Sequence, residues 1–221
     1  MSPSRFLFEM VQKNSDQPEG PRRRGRPRAY SPDLALTQAM EAFWNDGFAA
    51  TSLDQLSEAT GMNRPSLYAA FGDKQALYRQ AYAQYRKAAF AAMEDLFAAE
   101  RPLRDLLRLI FERALDLYLS GDKGPRGCFS VLTASSDAIA APELRGMVVD
   151  SIEGIDRFFA DLFAKGIEAS ELPSSSDPRH MAFLASATLH TLSVRARAGV
   201  PRAELEPIIA GAVGLICGRG A

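Results

Sequence analysis

The sequence predicts an all-α protein. Three observations lead there. Apolar side chains recur at helical spacing through most of the chain after residue 30, no segment shows convincing two-residue alternation, and the periodic runs open on capping residues and close on glycine or proline. With 221 residues, 47% of them hydrophobic and 24% charged, the chain can bury a substantial core, as one large domain or a small one joined to a larger one.

Residues 1–29 read as an unstructured basic arm. Asn14, Ser15, Pro18, Gly20 and Pro21 interrupt any regular pattern, and the opening MSPSRFLFEMVQK has too short an apolar run for a secretory signal. Between Pro21 and Tyr30 lie Arg22, Arg23, Arg24, Arg26 and Arg28, with no acidic residue among them, although the net charge of the chain is only −1. A local basic block on a near-neutral chain suggests contact with a polyanion through one region; the alternative is a solvated arm.

The first helix opens at Ser31-Pro32-Asp33, a hydroxyl cap followed by a proline whose missing N–H does no harm there. Leu36, Ala39, Met40 and Phe43 supply its inner face and Gly47 its stop. Thr51 is expected to cap the second helix, with Asp54 completing a variant capping box, and Leu53 and Leu56 turned inward. Gly61 permits a tight turn covered by Met62. A short third helix runs from about Arg64 to Phe71, capped by Asn63 and stopped by Gly72. Asp73 caps a long fourth helix reaching about Ala99.

Further helices are expected at Pro102 to Ser120, about Cys128 to Ser135, Pro142 to Ala169, Pro178 to Ala198 and Pro201 to Cys217. Breaker-rich loops separate them: SGDKGPRG, AIAAP, LPSSSDP and AGVP. The last two helices are small or apolar on nearly every face, more than one packed side requires. Gly211 and Gly214 allow close helix approach, so both helices suit a subunit interface. No stretch approaches the ~20 apolar residues of a membrane span, and none is expected.

The first three helices form a helix-turn-helix pattern. Leu67 and Phe71, four residues apart, anchor the third helix against Leu36, Met40, Phe43 and Leu56. Pro65, Ser66, Ala69 and Ala70 lie across it and are small enough for close approach to base edges. Arg64 can bond guanine or phosphate, and Tyr68 can send its hydroxyl to a phosphate. Thr51 and Ser52 at the second helix and Lys74 at the fourth add phosphate donors. Arg26 and Arg28, spaced by Pro27, suit an adjacent minor groove.

The run AMEAFWNDGFAATSLDQLSEATGMNRPSLYAAFGDKQALY resembles the N-terminal domain of the TetR family of transcriptional regulators, over about residues 30 to 78 without a gap. The resemblance rests on Thr51 and Ser52, Gly61, LYAAF at 67–71, and Lys74. It implies DNA contacts at Ser52, Arg64, Pro65, Ser66, Tyr68 and Lys74. It implies a helix-turn-helix domain over 30–76, an effector-binding and dimerisation domain over 77–221, and a homodimer joined through its last two helices. Such a protein is most often a repressor, released from a palindromic operator on double-stranded DNA by a small molecule. Ligand entry would move the fourth helix and change the separation of the two heads, which must reach successive grooves about 34–36 Å apart.

The family arrangement also implies a cavity among the helices that follow. Candidate lining residues are Phe90, Met93, Phe97, Tyr118, Phe129 and Phe158, which suit a hydrophobic or aromatic effector. GPRGCFSVL resembles a recurrent RGC segment of some members. Cys128 there is either a thiol sensor of oxidants or electrophiles, activated at a helix N-terminus, or a small residue filling a tight corner.

Cys128 and Cys217 lack CxxC spacing, so neither a zinc site nor a disulfide framework is expected, and a reducing cytoplasm is the default compartment. His180 and His190 are the only histidines, and His190 suits a hydrogen-bonded interface position. With no glycine-rich phosphate loop, no paired-carboxylate motif and no nucleophile beside a base, no catalytic, metal or cofactor site is predicted. The remaining alternatives are a constitutive DNA binder with a closed core and, least favoured, an all-α enzyme.

Overall fold

The computed structural model describes residues 31–97, 101–122, 124–136 and 142–218, and among these there is no strand. The chain divides into two compact units, the first ending at Ala92 and the second beginning at Met93. The first unit includes the buried tyrosines of the fourth helix, Tyr78, Tyr82 and Tyr85.

In the first unit, α1 spans Pro32–Ala50, α2 Leu53–Thr60 and α3 Arg64–Phe71, and most of α4, Lys74–Phe97, belongs to it as well. Ser31 caps α1, with Pro32 in the first turn. The buried stripe of α1 is Ala35, Ala39, Met40, Phe43 and Trp44, so Ala35 lies inside where Leu36 was expected and Leu36 is only half-buried. Gly47 breaks the helical path at φ 82°, as its position predicted, and one further turn follows it.

That further turn moves the next cap by one residue. Thr51 is fully buried, and its hydroxyl donates to the Gly47 carbonyl at 2.6 Å, closing α1 instead of opening α2. Ser52 is the cap. Its hydroxyl accepts from the Gln55 N–H at 3.2 Å, and the Gln55 side chain accepts from the Ser52 N–H at 2.7 Å. The reciprocal partner must stand three residues after the cap, so it is Gln55 rather than Asp54. Asn63 caps α3 by accepting from the Ser66 N–H at 2.9 Å, and Asp73 caps α4 by accepting from Ala76 at 2.7 Å. Gly61 and Gly72 occupy φ 64° and 85°, where a Cβ would be strained.

Aromatic rings join α1 to α4. Phe43 meets Tyr78 edge-on with centroids 5.0 Å apart, and Trp44 meets Tyr85 at 4.8 Å. The Gln80 side chain donates to the Phe71 carbonyl at 2.9 Å, and Gln84 to the Thr37 hydroxyl at 2.8 Å. Leu56, Met62, Leu67 and Phe71 are all buried, so α2, the turn and α3 each put an apolar side chain into the interior. Burial of such side chains contributes about 1.5–3 kcal/mol apiece.

The second unit contains α5 (Leu103–Leu119), a short π-helix (Phe129–Ala134), α6 (Pro142–Glu168), α7 (Pro178–Arg197) and α8 (Arg202–Ile216). The helix expected near residues 128–135 is present, but wound as a π-helix. α7 is the central element, packing on α5, α6, α8 and the π-helix. Phe111, Phe129, Phe159 and Phe163 are completely buried. Polar ties close the ends: Glu171 accepts from the Leu103 N–H at 2.6 Å, and Arg104 donates to the carbonyls of Cys217 and Gly218. Among the described residues, no helix is long and apolar enough to cross a membrane.

His190 on α7 is half-buried. Among the described residues its buried Nε2 has no partner, and the Asp156 carboxylate of α6, which acts on it, accepts from Ser186. Burial lowers its pKa below the ordinary 6.5, and the Asp156 charge offsets only part of that. A lowered folded-state value means that the unfolded chain binds the proton first. Stability therefore holds above about pH 6.5 and falls as pH drops through the folded-state value. Replacing His190 with Gln should flatten that acid limb in denaturation curves collected across pH. In the first unit, Leu67→Ala removes a side chain that is 2% exposed and should destabilise by about 2–5 kcal/mol, read as a lower denaturation midpoint.

Candidate nucleic-acid interface

The eight-residue helix α3 has two different sides. Leu67 and Phe71 lie inside, while Arg64, Pro65, Tyr68 and Ala69 are exposed and Ser66 and Ala70 are half-buried. Leu67 and Phe71 are one helical turn apart, and Tyr68, next to the anchor, turns its ring outward and is 47% exposed. Small outward residues at the start of the helix let its backbone approach a partner closely.

The charged groups around α3 are held by neighbours. The Arg64 Nε and Nη2 both donate to Asp54 Oδ1 of α2, at 3.0 and 2.6 Å, and the bond and charge of Asp54 raise the Arg64 pKa further above its ordinary range. Lys74, at the start of α4, places its Nζ 4.5 Å from the centroid of the Phe48 ring, a cation–π contact that fixes the direction of a flexible stem. Ser52 is exposed at the start of α2, whereas the Thr51 side chain is buried and its hydroxyl engaged. A phosphate contact by the Thr51 side chain is thereby corrected: the hydroxyl closes α1 and does not face solvent. Arg26 and Arg28 lie outside the described residues.

Sequence reasoning found the outward face of α3 from its composition. It missed the partners Asp54 and Phe48, because a contact between elements has no fixed spacing along the chain.

The residues expected to line an effector cavity do not share one environment. Tyr118, Cys128 and Phe129 are buried, and Phe90, Met93 and Phe158 are half-buried. The Phe97 side chain lies outside the described residues. Cys128 donates its N–H to the Ser193 hydroxyl at 2.8 Å and exchanges a side-chain hydrogen bond with Tyr118. Burial first, and then Cys128, push the Tyr118 phenol well above its ordinary 10.0. At Gly127, φ is 66° and a Cβ would collide with Leu132 and lie 2.9 Å from the Ser193 carbonyl. Cys128 thus stands in a tightly filled corner, the surroundings of a packing residue rather than of an exposed, activated thiol.

A groove of about 360 Å³ lies elsewhere in the second unit, lined by Arg108 and Glu112 of α5 and by Ala203, Glu206, Pro207, Ile209 and Ala210 of α8. It contains none of the aromatic candidates. On α7 and α8, large apolar side chains face outward, with Phe183 56% and Leu215 86% exposed. Gly211 and Gly214 have open space where a Cβ would stand.

Residues 35–81 match the family described as "Bacterial regulatory proteins, tetR family", and residues 102–208 match "Tetracyclin repressor-like, C-terminal domain". The chain is 33% identical over 191 residues to the HTH-type transcriptional repressor ComR of Escherichia coli (strain K12), covering 84% of this chain and 88% of that one. A cysteine-substituted form of the TetR family transcriptional regulator CifR, solved with 26-base-pair double-strand operator DNA, superposes with a TM-score of 0.79 at 31% identity. That match covers 86% of this chain and 98% of the other. A TetR family regulator from Cytophaga hutchinsonii, at 23% identity and a TM-score of 0.75, shares the fold over 85% of this chain and 93% of its own. With a helix-turn-helix unit whose third helix is anchored inside and small outside, and relatives matched along most of both chains, the chain belongs to the tetR family of bacterial regulatory proteins and is a DNA-binding transcriptional regulator.

Proposed function

We propose that the protein is a homodimeric repressor that occupies a palindromic operator and is released from it by a small hydrophobic molecule. The observation that carries this reading is the outward face of α3, where Arg64, Pro65, Ser66 and Tyr68 surround small side chains over an apolar anchor. Such a helix enters a major groove with Arg64 on a base edge. Tyr68, Ser52, Lys74 and the backbone amides at the start of α2 take phosphates, and Arg26 and Arg28 reach the neighbouring minor groove. The repressor named in E. coli and the operator complex of CifR support both the DNA partner and the sign of regulation. Operator DNA makes the cytoplasm the compartment of action.

The effector in this reading binds within the second unit near the half-buried Phe158, whose ring meets Phe159 edge-on at 5.4 Å. Occupancy favours a state in which the recognition helices of the dimer no longer match successive grooves.

The two kinds of DNA contact separate experimentally. Lys74→Ala should weaken binding to all duplexes alike and reduce the slope of log K against log salt by about one. Arg64→Ala should instead relax preference at one base position, by about 10- to 100-fold. Electrophoretic titrations at several salt concentrations check both, and unchanged affinity in Arg64→Ala and Tyr68→Ala together would remove the mechanism.

The dimer rests on the outward apolar side chains of α7 and α8. Introducing charge with Phe183→Glu and Leu215→Glu should yield monomers by sedimentation, with at least a hundredfold loss of binding to a palindromic duplex and little change in the melting of the first unit.

A further inference from the structure

The Arg64–Asp54 pair differs in kind from the other features of the interface, because it ties the first residue of α3 to the first turn of α2 across the turn between them. Gln55 completes the cap of α2, so Asp54 is not needed there. It turns its carboxylate to Arg64, and Oδ1 accepts from both Nε and Nη2 at 3.0 and 2.6 Å. A guanidinium has five N–H donors in a rigid plane. Asp54 takes the side edge formed by Nε and Nη2. The end edge, Nη1 with the outer N–H of Nη2, has no partner among the described residues, and that edge is the fork that matches guanine O6 and N7.

We propose that Asp54 is a specificity-determining positioning residue: it holds Arg64 by its side edge so that the end edge reads a guanine, and it denies Arg64 to backbone phosphates. The inference rests on the reading of Arg64 as a base contact. Two effects follow from the pair. An arginine already held in its reading geometry loses less freedom when it meets the base, which favours the matching sequence. A carboxylate beside the guanidinium also neutralises its charge, so Arg64 adds little to counterion release and hence little to non-specific binding. Free of Asp54, the same arginine would swing to the nearest phosphate of any sequence.

The test is selection from a pool of randomised duplex DNA by the full-length protein, followed by salt titrations on an enriched and a scrambled duplex. Wild type, Asp54→Asn, Arg64→Ala and the double variant are compared. The expected result is that Asp54→Asn loses preference about 5- to 20-fold at the same base position as Arg64→Ala, with other positions unchanged. It should also bind the scrambled duplex more tightly, with a salt slope steeper by about one. Adding Arg64→Ala to Asp54→Asn should then cost no further preference at that position. If Arg64→Ala alters one position and Asp54→Asn leaves every position intact, the positioning role is overturned while the reading of α3 stands. If neither variant alters any position, the reading of Arg64 falls and the inference with it. Should Asp54→Asn lose all enrichment, Asp54→Glu decides: recovery of the same base preference supports the role, and equal loss at all positions overturns it.

Discussion

An eight-residue helix cannot sustain itself in water, and this constraint governs the first unit. Nucleating so short a segment is unfavourable, so α3 exists only because Leu67 and Phe71 are buried on a platform made by other elements. α2 packs on both α1 and α3, and the rings of α1 and α4 meet in the same unit, Phe43 with Tyr78 and Trp44 with Tyr85. Hydrogen bonds add direction to burial: Asn63 satisfies the start of α3, and Gln80 takes the Phe71 carbonyl at its end. With both ends satisfied, the helix can present small side chains outward without help from helix-favouring surface residues.

The same economy of partners appears in the charged groups. Arg64 and Lys74 are long and flexible, and each is held by a neighbour of different chemistry, a carboxylate for one and an aromatic face for the other. Ordering such side chains in advance reduces the entropy lost on contact with a ligand. The difference between the two partners is informative. A ring leaves the lysine charge intact for a polyanion, whereas a carboxylate offsets the arginine charge and leaves mainly its hydrogen-bonding geometry.

The second unit is built on a different rule. Its centre is filled by phenylalanines, and α7 touches every other described element of the unit. The segment Arg126–Cys128 is fastened from both sides: the N–H groups of Arg126 and Gly127 donate to the Tyr118 carbonyl, and that of Cys128 to Ser193. A loop held that closely leaves no room for a larger side chain at Gly127, and it sets the entry of the π-helix that follows. By contrast, the outer sides of α7 and α8 expose large apolar groups beside bare glycine backbone, a surface that closes favourably only against another apolar surface.

Much of this was legible in the sequence, because it is local. Helix starts at Ser31, Asn63 and Asp73, the turn at Gly61, the break at Gly47 and the anchor pair Leu67 and Phe71 depend on residues at most four positions apart. Capping chemistry and positive φ act over that range. The assignment of the cap of α2 to Thr51 erred by one residue, since the turn after Gly47 was set by how a buried hydroxyl could be satisfied. Trp44 and Ala35 as interior residues, the Asp54 and Phe48 partners and the π-helical winding emerged only in three dimensions. Each depends on which atoms another element brings within reach. The sequence by itself determined the helices and the sides they would bury, because those follow from spacing along one chain. Tertiary structure alone decided which polar and aromatic groups meet, because that depends on the packing of segments remote in sequence.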